Sequence, residues 1–250
     1  MGWKSVAVDI LPPVVTRGLK RLRGPSGAVE KSEPALWPFS SQSLGSFSQY
    51  GEDLVIDAVL GCPTTGIFVD IGANDPVTLN NTKRFSLRGW TGINVEPNPV
   101  LFGRLAADCP ADVNVCAGVG SSAGELPFFL VDPDTLSSFD EHTAHQNLLD
   151  YPGSEIIETI PVPIVSLDKL FGDNLESGTR IDFLSVDVEG LEIEVLSSND
   201  WDAWRPYLLL VEANRYEGPV IQYLRAADYE FAWFNGTNGL FVDTRAGKLA

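Results

Sequence analysis

Two acids and a glycine carry the first chemical hint. Asp70 and Gly72 stand in Asp70-Ile-Gly-Ala-Asn-Asp-Pro76, where the apolar run Ile67-Phe-Val-Asp-Ile71 ends; Glu96 closes a second run, Gly92-Ile-Asn-Val-Glu96. Glycine at such a place lets the backbone turn sharply and lets a ligand approach the main chain. An acid about 20 residues beyond a glycine turn is placed to accept hydrogen bonds from a ribose diol, and it repels a 2′-phosphate. Asp70 could anchor a ligand amine, directly or through water. Each acid taken alone reads equally well as a cap or turn residue. Asp70, Gly72 and Glu96 together point to a nucleoside. Neither G-x-G-x-x-G nor G-x-x-x-x-G-K-[ST] occurs in the chain, so pyrophosphate cradling is disfavoured.

The elements that must position these residues follow from pattern. A helix is expected from about Ser48 to Leu60, with Leu54, Val55, Ala58 and Val59 on one face and Ser46 to Gln49 as a capping box. Strands are expected at Ile67–Ile71, Gly92–Glu96, Val113–Cys116, Ile181–Asp187 and Tyr207–Glu212, with helices at Glu189–Leu196 and Pro219–Ala227 among those between them. Tyr229–Phe234 and Leu240–Val242 flank Asn235-Gly-Thr-Asn-Gly239, a strong hairpin turn. Strands alternating with helices and ending in a hairpin predict an α/β fold. Its sheet is mostly parallel, covered on both faces, with an antiparallel edge. Ligands bind such sheets at the carboxyl ends of the strands, near the switch point in strand order.

Composition excludes several classes. The 250 residues are 44% hydrophobic and 20% charged, enough to bury a core in one domain with a tail. A formal charge of −17 repels phosphate backbones, so no nucleic-acid partner is expected. The longest apolar runs span a handful of residues, against the about 20 a spanning helix needs. Cys62, Cys109 and Cys116 form no C-x-x-C pair; they suit a reducing compartment rather than a zinc site. The first apolar run, Val6–Leu11, is short and interrupted by Asp9, unlike a signal peptide. Residues 1–45 read as a basic tail and linker, and residues 46–250 as the catalytic domain. The tail's Arg17-Gly-Leu-Lys-Arg-Leu-Arg23 could touch anionic lipid weakly, but a solvated tail is the expected state. The expected location is the cytoplasm, at most peripheral to a membrane.

Seven short segments then align with one family. They are Ser48-Gln-Tyr-Gly-Glu-Asp53, Phe68-Val-Asp-Ile-Gly-Ala-Asn74, Asn80-Asn-Thr82, Gly89-Trp-Thr-Gly92, Glu96-Pro-Asn98, Val165-Ser-Leu-Asp168 and Ile181-Asp-Phe-Leu-Ser-Val-Asp-Val-Glu-Gly-Leu-Glu192. Over residues 46–243 the chain resembles the FkbM-type S-adenosylmethionine-dependent methyltransferases. The resemblance implies a Rossmann-like, seven-stranded class I methyltransferase fold with a C-terminal antiparallel hairpin. It implies that Asp70, Gly72, Ala73 and Asn74 form the first cofactor loop, and that Glu96 holds the ribose hydroxyls. Asn81 and Thr82 would lie near the methionine end, and Ala117 and Gly118 by the adenine. Gln49 with Tyr50 would fold a lid, and Ser137 and Ser138 would lie where the family closes over the cofactor. The chemistry agrees: this cofactor carries a sulfonium and no phosphate, and no Lys or Arg stands between Asp70 and Thr82.

In this fold Asp187 faces the transferred methyl, and its carboxylate could take the proton of an attacking hydroxyl. Glu189, expected to open the next helix, is a second candidate; a favourable charge at a helix N-terminus is its plainer reading. Glu192 and Glu194 read as a solvated helix face. Mg²⁺ is the rival use of Asp187, Glu212 and Asn214 at consecutive strand ends. Asn214 stands two residues after Glu212, a departure that disfavours a metal, so no metal ligand is assigned. His142, three residues before His145, could serve as a base or a substrate contact, on what reads as a variable loop. Trp233 and Phe234 beside a polar turn could suit a sugar ring, though strand core is the commoner use. The expected reaction is O-methylation of a hydroxyl on a small-molecule or glycan acceptor. The alternatives are an NAD-dependent oxidoreductase, which the missing glycine fingerprint opposes, and a non-catalytic nucleoside-binding module.

Overall fold

The computed structural model describes residues 45–121, 123–213 and 218–246. The basic cluster of the tail and Asn214 lie outside the described residues. In chain order the elements are α1 (Glu52–Leu60), β1 (Ile67–Ile71), α2 (Lys83–Ser86), β2 (Thr91–Val95), α3 (Pro99–Asp108), β3 (Val113–Val115), β4 (Gly118–Val119) and β5 (Gly124–Asp132). A 3₁₀ turn at Asp134–Leu136 follows, then α4 (Glu141–Asp150), β6 (Glu155–Val165), α5 (Leu167–Asn174), β7 (Phe183–Val186) and α6 (Glu192–Ser197). The chain continues through β8 (Leu208–Glu212), α7 (Pro219–Ala226), β9 (Tyr229–Phe234) and β10 (Asn238–Asp243).

The main sheet has seven strands in the order β3-β2-β1-β7-β8-β10-β9. The first five run parallel, and β10 is antiparallel to both neighbours. This is the fold expected from the sequence. Strands buried on both faces read as continuous apolar runs, and β7 and Leu208–Val211 of β8 are buried throughout. Alternate residues feed two cores. Val69, Ile71, Leu184, Val186, Leu209 and Val211 pack with residues of α5, α6 and α7. Phe68, Phe183, Leu208 and Leu210 pack on the other face with Ile56, Val59 and Leu60 of α1 and with Phe85 and Trp90. The strands approach closely there because Gly92 lies opposite Phe68; a Cβ at Gly92 would come within 2.3 Å of that ring.

Three expectations fail locally. Helix α1 starts at Glu52, not Ser48, after Gly51 in the left-handed conformation (φ 88°). No capping box forms at Ser46: its hydroxyl donates to Asp53 Oδ1 (2.5 Å), and the Asp53 N–H donates to Ser48 Oγ (2.9 Å). The buried face is Ile56, Val59 and Leu60 with Glu52, Asp53 and Asp57, rather than Leu54, Val55 and Ala58. Acids on that face hide its periodicity, and each is buried because it is partnered; Asp57 pairs with Arg84 and Arg88.

A second sheet, β4-β6-β5, was not expected from the sequence. Its long antiparallel pair, β5 with β6, places Pro127 opposite Pro161, and β6 carries Pro163 as well. Proline demotes a run to an edge strand or non-strand in any pattern reading. Most of β6 is also exposed, so no apolar alternation marks it. Finally, the His142 segment is not a loop: it forms α4, capped by Asp140, whose carboxylate accepts from the Thr143 N–H at 2.8 Å.

Candidate functional site

The chain runs outward from β1 to β2 on one side and from β7 to β8 on the other, so the switch point lies between β1 and β7. A cavity of about 320 Å³ opens there at the carboxyl ends of the strands, within the range of small-molecule sites. Gln49, Asp70, Gly72, Ala73, Asn74, Asn81, Glu96, Ala117, Gly118, Ser137, Asp187 and Glu189 all line it. Among the described residues, no Lys, Arg or His lines it.

Gly72 joins the two halves of the switch point. Its φ is +81°, and a Cβ would sit 1.9 Å from the Asp187 carbonyl oxygen. The N–H groups of Gly72 and Ala73 donate to the Val95 carbonyl at 3.0 and 3.1 Å, and that of Asp187 donates to the Ile71 carbonyl at 3.0 Å. The ends of β1, β2 and β7 are thereby held together. Asn74, also left-handed (φ 50°), donates its N–H to Glu96 Oε2 at 2.8 Å. The Asn98 N–H donates to Glu96 Oε1 at 2.8 Å. Each Glu96 oxygen keeps a further lone pair for a ligand. Burial pushes the Glu96 carboxyl up to about 7, against those two amides, and the charges of Asp134 and Asp70 add to the rise. Burial raises Asp70 to about 6, against the hydroxyls of Ser185 and Thr82. Thr82 Oγ1 lies 3.3 Å from Asp70 Oδ2, behind the cavity wall rather than in its lining. Asn81 Nδ2 donates to Ser185 Oγ at 3.2 Å.

Past β7 the expected helix is delayed. Glu189 lies in a turn at φ 53°, and α6 begins only at Glu192. Glu189 therefore does not sit at a helix N-terminus. Its carbonyl accepts from Ser138 Oγ at 3.1 Å, a bond between the loop after β7 and the segment that follows β5. Ser138 is buried in that role and does not line the cavity. Nor is Glu192 solvated: it is buried, and its Oε1 accepts from the Gly190 N–H at 3.0 Å. Asp187, Glu189 and Glu212 can bring one oxygen each within 4.8 Å of one another, a spacing that an oxygen-coordinated divalent cation would also fit. Asp187 is exposed, and the surface it exposes lines the cavity. The protein around it raises its carboxyl well above the usual range, and repulsion from Glu212 and Glu189 adds to that. Glu189 is raised to about 8 by burial, then by Glu212 and Glu192.

The cover over the cavity was largely illegible in the sequence. Pro133, Asp134, Thr135, Leu136 and Phe139 line it from the segment joining β5 to α4, and Leu79 and Tyr151 line it as exposed residues. In the sequence only the family resemblance marks that segment, through Ser137 and Ser138. Tyr50 is 48% exposed and outside the lining, although its neighbour Gln49 is in it. His142 is exposed on α4 and also outside the lining; His145 faces Glu141 at 3.9 Å on the same helix surface. Trp233 packs against the second core, the commoner of the two uses weighed for it, and the amides of Asn235 and Asn238 are engaged by Glu52.

A doubly wound sheet with a cavity at its switch point defines the class of open α/β folds that take ligands at the carboxyl ends of their strands. Within it, the chain belongs to the methyltransferase FkbM domain family, whose model matches residues 70–231. No curated protein matches it. Among solved structures, a methyltransferase FkbM from Methylobacillus flagellatus KT is 14% identical, with a TM-score of 0.46 over 72% of this chain and 44% of that one. This chain thus spans less than half of that protein's length. A TehB-like SAM-dependent methyltransferase from Corynebacterium glutamicum ATCC 13032 is 11% identical, with a TM-score of 0.39 over 81% of this chain and 92% of that one. Among the described residues, no helix is long and apolar enough to cross a membrane.

Proposed function

We propose that the protein is an S-adenosylmethionine-dependent O-methyltransferase acting on a hydroxyl of a sugar, glycan or glycosylated metabolite. The observation that carries this reading is the lining of the cavity: Asp70, Glu96, Asp134, Asp187 and Glu189, with Gly72 at the turn and no basic side chain among the described residues. Such a lining suits a ligand with a ribose diol, an ammonium and no phosphate; it opposes a dinucleotide. Glu96 would hold the ribose hydroxyls and Asp70 the cofactor's polar end, with Ala117 and Gly118 beside the adenine. When bound, this cofactor supplies an electrophilic methyl group on a sulfonium. Asp187 would accept a hydrogen bond from the acceptor hydroxyl and take its proton, and its raised carboxyl is a stronger base than an ordinary carboxylate. Glu189 would hold the acceptor and keep Asp187 basic. Holding both reactants close supplies much of the rate. Phe139 and Tyr151 in the lining offer faces for a sugar ring beside carboxylates that accept from its hydroxyls.

The test is calorimetry with S-adenosylhomocysteine and NAD, followed by transfer of labelled methyl to a panel of hydroxyl compounds. S-adenosylhomocysteine binds and NAD does not. Glu96→Ala weakens that binding by about 1.5–3 kcal/mol, the worth of hydrogen bonds to a charged group. Unchanged affinity in a folded variant would remove Glu96 from the site. Binding without transfer to any acceptor would favour a module that has kept the fold and lost the reaction.

A further inference from the structure

Glu52 is the first residue of α1 and has no accessible surface. It makes no ion pair among the described residues. Three N–H donors hold its carboxylate instead. Oε2 accepts from the Tyr50 N–H at 2.8 Å, while Oε1 accepts from Asn235 Nδ2 at 2.7 Å and from Asn238 Nδ2 at 2.8 Å. One side chain thus binds the arm before α1 and the turn between β9 and β10. We propose that Glu52 is a positioning residue that clamps this arm, and with it Gln49, onto the cavity. The proposal rests on the cofactor reading of that cavity.

The geometry around the arm supports a clamp rather than a chance contact. Gln49 lies between residues pinned on both sides. Asp53 accepts from Ser46 Oγ at 2.5 Å and from the Phe47 N–H at 2.9 Å, and its own N–H donates to Ser48 Oγ. The Phe47 carbonyl accepts from the Asn80 N–H at 3.0 Å, next to cavity-lining Asn81. The arm is therefore tied to α1, to the loop after β1 and, through Glu52, to the far hairpin.

The residue type matters as much as the position. A buried carboxylate is costly unless its oxygens are satisfied. It is retained here where both oxygens must accept, in opposite directions. An ionised carboxylate is acceptor-only, whereas glutamine turns one of those oxygens into a donor. Glu52→Gln keeps the volume but must set an N–H₂ group against either the Tyr50 N–H or the two asparagine amides. It releases the arm or the turn without opening a cavity.

The experiment uses the full chain in three measurements: hydrogen exchange of residues 46–51 without ligand, S-adenosylhomocysteine affinity, and a double-mutant cycle with Gln49→Ala. In Glu52→Gln the arm exchanges at least about tenfold faster, and affinity falls about tenfold, the scale of one charge-assisted hydrogen bond. Gln49→Ala costs a similar factor, and the double variant is no weaker than either single one, because Glu52 acts through Gln49. Losses that multiply in the double variant would make Glu52 a fold staple and overturn the proposal, as would unchanged arm exchange. If Glu52→Gln does not fold, Asn238→Ala removes one of the turn donors and is judged by the same three outcomes. A wild-type chain that fails to bind S-adenosylhomocysteine would overturn the cofactor reading, while arm exchange would still decide whether the clamp exists.

Discussion

At the residue scale the deciding group is Asp187. The surrounding protein, which keeps water from the carboxyl, and the neighbouring Glu212 and Glu189 raise it well above the usual carboxylate range, so a proton is shared among like charges. As the base it must be ionised, so turnover rises with pH through this raised titration. Glu189→Gln removes one like charge and should move the rising limb to lower pH. Asp187→Asn keeps the shape and removes the acceptor. Turnover should fall by about 10²–10⁴-fold, the usual worth of such catalysis, with cofactor affinity little changed. EDTA should leave the wild type unaffected. Activity abolished by chelation and restored by Mg²⁺ would instead give Asp187, Glu189 and Glu212 to a metal. Near-wild-type turnover by Asp187→Asn would remove it from the mechanism.

At the element scale the tie between β1 and β7 is the vulnerable joint. Gly72→Ala asks an L-residue to hold φ +81° and drives a Cβ into the Asp187 carbonyl. Left-handed backbone alone costs about 1–2 kcal/mol, and the clash adds to it. The melting temperature should drop by at least about 4 °C, given roughly 2–4 °C per kcal/mol at this size, and S-adenosylhomocysteine binding should be lost. A variant with wild-type melting and affinity would show that the two loops can separate freely. This joint was legible in sequence because Asp70, Gly72 and Glu96 follow directly from apolar strands that are buried on both faces. The cover was not. Pro127, Pro161 and Pro163 disguise β5 and β6, and the segment from Pro133 to Phe139 gains its place from the pairing of those strands and from the bond of Ser138 to the Glu189 carbonyl. In the sequence Glu52 and Asp53 stand out only as part of the Ser48–Asp53 segment. Nothing local shows that Glu52 reaches Asn235 and Asn238, 183 and 186 residues away.

At the scale of the whole molecule, the acid-lined cavity sets how stability follows pH. Asp70 and Glu96 are raised from 3.8 to about 6 and from 4.5 to about 7. The folded state then binds protons more tightly than the unfolded chain. This stability is complete below the unfolded values near 4 and is lost as pH climbs through 6 and 7. A tenfold difference in proton affinity is worth about 1.4 kcal/mol, so each of these two carboxyls contributes on the order of 3 kcal/mol. Asp140, held down by the Thr143 hydroxyl and N–H, works oppositely: its contribution is present above the unfolded value and lost at lower pH. The ligand-free protein should therefore melt highest near pH 5, as an order-of-magnitude placement, and progressively lower toward pH 8. Cationic S-adenosylmethionine favours the ionised carboxylates and should release protons as it binds. Calorimetry in two buffers of different ionisation enthalpy reads that release directly. A melting temperature that rises steadily from pH 5 to 8, or a binding heat independent of buffer, would mean that Asp70 and Glu96 are already ionised and that the cavity's acids are not stored for a cation.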